Sequence, residues 1–295
     1  MTYFFSDILP ENADRAYISI RDQSQYVDDK KFIEEMWLSY EQYADTNFLE
    51  QSKIDFNQRI WEMYLACSLI FQGLSIDSKD EGPDILIDTG ELKIWIEAVA
   101  PKPGQGVDAV SQMEFGVLRK VPDEKIKLRY RSAIEEKYNK KYKDYLAKKI
   151  VKPEDCYIIA INGSSIPSAR REREIPRIIR SVLPFGNESM NIDTESGIPI
   201  ERFYQYQDSS RKKSGSLVST DIFLKSEYSG ISAILFSCMD ALNRPNKFGD
   251  DFVLLHNPLA ARQLPQGFIK LGCEYWVDNS ELKCITWSTE GKSDI

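Results

Sequence analysis

Apolar positions recur along this chain with two different periods, and the two periods divide it into helices and short buried strands. Over 31–43 and 56–72 they return every three to four positions, as in helices that bury one face. In the second helix Ile60, Tyr64, Cys67 and Phe71 share a side, and Gly73 supplies a natural stop. Two strands follow, 85–88 and 93–100, joined by a turn at Asp88-Thr89-Gly90-Glu91. Pro101-Lys102-Pro103-Gly104 breaks the second strand, and 104–116 reads as a loop. Residues 124–148 form one long basic helix, and CYIIAI at 156–161 is a compact buried strand. Further strands are expected at 231–237 and 252–255, with a terminal hairpin built from 268–277 and 282–287. Two stretches lack a period. Residues 1–30 read as irregular and acidic, and 162–201, rich in Gly, Ser, Pro and Arg, as mobile or peripheral.

Helices alternating with short buried strands predict an α/β protein with one mixed central β-sheet flanked by helices. The organisation expected is an N-terminal helical extension over 1–55, an α/β core over 56–165, and 166–295 as a further part of the same domain with added strands and loops.

Composition narrows the function only modestly. The chain has 295 residues, with 42% hydrophobic and 28% charged residues, as in ordinary folded proteins. No apolar run approaches the roughly 18 residues that span a bilayer, and no basic segment precedes an apolar one at the N-terminus, so a cytoplasmic location without membrane contact is expected. The five cysteines are scattered with no CxxC pair, which supports neither a disulfide framework nor a zinc site. No GxxxxGK[ST], GxGxxG, HExxH or GxSxG motif occurs. The formal net charge is −8, yet residues 119–152 hold thirteen Lys or Arg against five Asp or Glu. That block is either a local phosphate-facing surface or an ordinary solvated helix.

Acids at unexpected places carry the chemical signal. Glu97 lies within the apolar run IWIEAVA, where strand alternation puts it on a face with Lys93, Trp95 and Val99, opposite Ile94, Ile96 and Ala98. A carboxylate there is costly to ionise unless a cation accompanies it. Asp84 opens the preceding strand, thirteen residues upstream, so a tight turn brings both carboxylates side by side. Glu62, between large apolar neighbours on the 56–72 helix, is a third candidate. Each acid also has a plainer reading: a helix-surface glutamate for Glu62, a turn residue after Pro83 for Asp84, and an acid paired with Lys or Arg for Glu97. His256, the sole histidine, is expected to be structural.

Helix acid, Pro83-Asp84, turn, and a strand bearing Glu97 together resemble the PD-(D/E)XK, or restriction-endonuclease-like, nucleases over residues 56–102 and more loosely to about 160. The resemblance implies Mg²⁺ (or Mn²⁺) held by Asp84 and Glu97 with help from Glu62, and hydrolysis of nucleic-acid phosphodiesters, DNA in the first instance. It also implies a defence or mobile-element role and, by family habit, a homodimer. Where the family places a lysine two residues after the second acid, this chain has Val99. Lys102, five residues past Glu97 on the loop leaving the strand, is one replacement candidate; Lys137 and Lys141 are the others, since Ile126, Tyr130, Ala133, Ile134, Lys137, Lys141 and Tyr145 share one arc of about 120° on an α-helical wheel. Lys125, Lys127, Arg129, Arg131, Arg170 and Arg171 are the candidate phosphate contacts. The alternative is a nuclease-like fold that has lost its lysine and binds nucleic acid or protein without cleaving, and a helix-rich interaction protein with no site is a third possibility.

Overall fold

The computed structural model describes residues 2–78 and 81–287. Four helices open the chain: α1 (Arg15–Asp22), α2 (Val27–Tyr40), α3 (Phe48–Ser52) and α4 (Phe56–Phe71). The hairpin β1 (Ile85–Asp88) and β2 (Lys93–Val99) follows, then α5 (Asp123–Glu136), a π-helical turn (Lys137–Tyr142), α6 (Lys143–Ala147) and β3 (Cys156–Asn162). The remainder holds α7 (Arg177–Arg180), the hairpins β4 (Phe185–Ile192) with β5 (Pro199–Tyr206) and β6 (Ser209–Arg211) with β7 (Leu217–Ser219), and then β8 (Ala233–Ser237), β9 (Val253–His256), β10 (Gly272–Asp278) and β11 (Glu281–Trp287).

Seven of these strands form one sheet in the order β1-β2-β3-β8-β9-β10-β11. It is mixed: β2, β3 and β8 run parallel, as do β9 and β10, while β1–β2, β8–β9 and β10–β11 are antiparallel. Strand alternation splits the core as expected. Ile94, Ile96, Ala98, Ile158 and Ala160 face α4 and the N-terminal helices, whereas Trp95, Tyr157, Ile159 and Ile161 face α5 and α7. Helices therefore cover both faces, and the chain is α/β with a mixed central sheet.

Helix α4 is buried nearly all round, from Ile60 to Leu69, because the sheet lies on one side and α1–α3 on the other. Its end is set by Gly73 at φ +93°, with Gly73 N donating to Ile70 O and Leu74 N to Leu69 O, the paired bonds of a Schellman motif. A second glycine is equally constrained: a Cβ on Gly272, at φ +60°, would sit 2.2 Å from Phe252 O.

Three expectations need correction. The first thirty residues are not wholly irregular, because Tyr17 and Ile20 of α1 are buried and Phe4 and Tyr17 pack on Phe56 of α4. The 162–201 stretch is not all peripheral, since Ile178, Ile179, Val182 and Leu183 belong to the core and only the β4–β5 hairpin stands out from it. The basic helix is not uniformly α: the π turn widens it at Lys137–Tyr142 and changes the phase of everything that follows. Among the described residues no helix is long and apolar enough to cross a membrane.

Candidate active site

The β1–β2 register places the two strand acids. Ile85 pairs with Ile96, so continuing by one residue sets Asp84 opposite Glu97 at the mouth of the hairpin. Asp84 Oδ2 accepts a hydrogen bond from Ala98 N at 2.7 Å, which pins its carboxylate to the end of β2. Glu97 points to the α5 side of the sheet, only 2% exposed. Two groups from the helical layer meet it there: Lys137 Nζ donates to Oε1 at 2.6 Å, and Tyr145 OH donates to Oε2 at 3.2 Å.

Glu62 arrives from the other layer. Its neighbour Gln58 bridges α4 to the end of β2, donating from Nε2 to Glu62 Oε1 (2.8 Å) and Ala98 O (3.2 Å) and accepting from Ala100 N (2.7 Å). Arg59 NH1 donates to Glu62 Oε2 at 2.5 Å and to Asp45 at 3.0 Å. Sequence reasoning missed both Gln58 and Arg59. Their positions one turn and three residues before a buried acid were the available signal, because side chains at i, i+3 and i+4 share a helix face.

Electrostatics tie the set together. Burial, followed by repulsion from Glu62 and Glu97, pushes Asp84 well above the usual carboxylate range, with Lys137 and the Ala98 N–H opposing. Burial likewise raises Glu62, against the pull of Arg59. Burial works against the Lys137 ammonium, but Glu97 and Asp84 outweigh it and hold that lysine above its ordinary value. Tyr145 is pushed up by burial and then by Glu97 and Asp84, so it remains a hydroxyl donor.

The cost carried by Asp84 gives a stability prediction. Its folded pKa is raised, so its contribution is fully favourable below the unfolded value of about 3.9 and is lost as pH rises through the folded pKa. Asp84→Asn should therefore match the metal-free wild type near pH 4 and exceed it by about 3 °C in Tm at pH 8. Scanning calorimetry across that range checks it; equal Tm at both pH values would remove the premise of a strained carboxylate.

The other candidates are placed elsewhere. Lys102 is exposed on the loop leaving β2 and pairs with Asp55 at 3.4 Å rather than with Glu97. Lys141 is exposed, because the buried face of this segment runs Ile134, Tyr138, Tyr142, Tyr145 through the π turn and leaves Lys141 outside. Of the three lysines, Lys137 alone meets an acid of the group.

The phosphate-contact candidates also need correction. Lys127 and Arg131 are buried: Lys127 pairs with Glu124 at 2.7 Å, and Arg131 donates to Ser219 O and Tyr228 OH. They lie on the inward side of α5, under the β6–β7 hairpin. Lys125 donates to Val107 O and Ala109 O, and Arg129 to Lys102 O, so both brace the 102–109 loop. Arg170 is exposed but paired with Asp240, and Arg171 is exposed. The basic block is therefore in part internal bracing, not a continuous face. His256 is bonded through Nε2 to buried Glu274 at 2.6 Å, and Glu274 also accepts from Gly267 N and Trp287 Nε1, consistent with a structural role.

Among the described residues no three His, Cys, Asp or Glu side chains already stand in an arrangement that holds a metal ion. The acids nevertheless offer the donor type that magnesium takes. They are hard carboxylate oxygens, one of them raised by burial and then by like charge, and a carboxylate such as Glu97 keeps lone pairs beyond the two bonds it accepts. No family model, curated protein or solved structure matches this chain.

Proposed function

We propose that this protein is a divalent-metal-dependent phosphodiester hydrolase acting on nucleic acid, DNA in the first instance, of the restriction-endonuclease-like type. The observation that carries the proposal is the convergence on Glu97 of Lys137 from the helical layer, with Asp84 opposite it and Glu62 within electrostatic reach of Asp84. The chain order of α4, the β1–β2 hairpin, α5 and β3, with β3 parallel to β2, supports the same reading.

Asp84 and Glu97 would hold the ion, with Glu62 assisting directly or through water. When bound, the ion supplies polarisation of the phosphate and a water of lowered pKa. Lys137 stays protonated, so it positions the phosphate and offsets developing charge rather than acting as a base. It stands in for the lysine that Val99 displaces. Tyr145 fixes the second Glu97 oxygen. Gln58 sets the distance between α4 and the end of β2 on which all three acids depend.

Purified protein with Mn²⁺ or Mg²⁺ is expected to nick supercoiled plasmid or cut single-stranded DNA. Asp84→Ala and Glu97→Ala should each lower the rate about 10³-fold, and Glu62→Gln about 10–100-fold. Cleavage that persists in both alanine variants rejects the site. The rival reading, a non-cleaving nucleic-acid or protein binder, is favoured by one feature: both Glu97 oxygens are already engaged, by Lys137 and Tyr145. It predicts oligonucleotide binding without divalent ions and no cleavage with them.

A further inference from the structure

Beneath the β4–β5 and β6–β7 hairpins lies a second charged cluster, separate from the acids above, with too few acceptors for its buried cations. Lys127, Arg131, Arg177 and Arg180 are each at most 3% exposed. The carboxylates near them are Asp123, Glu124 and Glu172. Asp123 is shared by three guanidiniums: Arg177 Nε at 2.6 Å, Arg173 NH2 at 3.5 Å and Arg180 NH1 at 3.7 Å. Glu172 is engaged by Arg177 at 3.1 Å, and Glu124 by Lys127 at 2.7 Å, with Gln207 Nε2 at 3.4 Å.

Arg180 is the least satisfied of these, its only carboxylate being the shared Asp123 at 3.7 Å. Its Nε donates to Phe185 O at a long 3.4 Å, while NH1 and NH2, both out of solvent, have no hydrogen-bond partner. Arg131 NH1 is in the same condition one helical turn from Lys127. Lys127 lies close enough to Arg180 that the two cations oppose each other, and burial first, then Arg180, draws the Lys127 ammonium below its ordinary value. A folded protein seldom leaves the terminal nitrogens of an interior guanidinium without hydrogen bonds, because each orphaned charged donor costs more than a neutral one. A planar fork whose two terminal nitrogens make no hydrogen bond matches the paired oxygens of a phosphoryl group.

We infer that Arg180 and Lys127, with Arg131 flanking, form a binding site for a small phosphate-bearing anion, inorganic phosphate or a phosphomonoester, under the two hairpins. The depth of these side chains selects a small ion over a polymer backbone, which needs exposed cations. Entry requires the hairpins to lift; the β4–β5 ribbon is exposed along most of its length and is tied down near its base, by Tyr204 OH to Glu174, Gln207 Nε2 to Glu124 and Arg180 Nε to Phe185 O.

The test uses the full chain without divalent ions and inorganic phosphate as the probe, against chloride at equal ionic strength. Phosphate is expected to raise the Tm of the wild type by about 3 °C at tenfold its dissociation constant. The same increment should appear in Asp84→Asn, which leaves this cluster intact, and should disappear in Arg180→Gln and Lys127→Met. Two variants are specified so that a folding failure in one leaves the other to decide. No increment over chloride overturns the inference. So does an increment retained in whichever of the two variants folds, and one lost only in Asp84→Asn would instead place the phosphate among the strand acids.

Discussion

Lys137→Met is expected to cost about 3 kcal/mol of folding stability and to abolish cleavage, whereas Lys137→Met combined with Glu97→Gln should recover most of the stability and none of the activity. The reason is the 2.6 Å ion pair between Lys137 Nζ and a glutamate side chain that is 3% exposed, with the lysine itself 19% exposed. Removing the lysine leaves Glu97 charged and unpaired in the core, beside an Asp84 that burial and like charge already strain. Neutralising Glu97 as well removes the penalty but also the carboxylate that the proposed chemistry needs. Urea denaturation of the wild type, both single variants and the double variant closes the cycle. A double variant as unstable as the sum of the singles would show that the pair does not interact.

Arg177→Ala should be the most destabilising single change outside the acids, at about 3–5 kcal/mol. Its side chain, 1% exposed, ties α7 to α5 through Asp123 (2.6 Å) and to the preceding loop through Glu172 (3.1 Å) and the Arg171 carbonyl. Arg177→Lys should restore only part of the loss, because an ammonium cannot reproduce the fork that serves Asp123, Glu172 and the Arg171 and Ala169 carbonyls together. A pH signature follows. Burial opposes it, but the Arg177 hydrogen bond and charge prevail and hold Asp123 below the usual carboxylate range. A depressed folded pKa gives stability that is present above the unfolded value of about 3.9 and is lost as pH falls through the folded pKa. The acid-side decline in Tm should thus be shallower in Arg177→Lys than in the wild type. Parallel declines would mean that Asp123 owes its low pKa to other partners.

Much of the sheet was legible because it follows a local rule. Alternation in IWIEAVA assigned every residue of β2 to its side, the thirteen-residue separation of Asp84 and Glu97 suited a hairpin whose register sets the two opposite each other, and Gly73 marked the end of α4. What was not legible depends on partners distant in sequence. Three lysines competed for one role on a wheel that assumed 3.6 residues per turn, and the π turn at Lys137–Tyr142 broke that assumption, leaving Lys141 outside and Lys137 on Glu97. The charge count over 119–152 could not reveal that Lys127 and Arg131 are turned inward, because their burial is created by hairpins some 80 to 90 residues later. Arg177 and Arg180 were hidden by the Gly, Ser and Pro around them, a composition that suggests a loop although the tertiary packing of Ile178, Ile179 and Val182 overrides it.

The most direct test of the proposed metal centre is a calorimetric titration of Mn²⁺ into the protein without nucleic acid. The wild type should bind about one ion per chain, with binding lost in both Asp84→Asn and Glu97→Gln and weakened in Glu62→Gln. Absence of Mn²⁺ binding to the wild type, or equal binding in all four proteins, would contradict the assignment of Asp84, Glu97 and Glu62 to a metal centre.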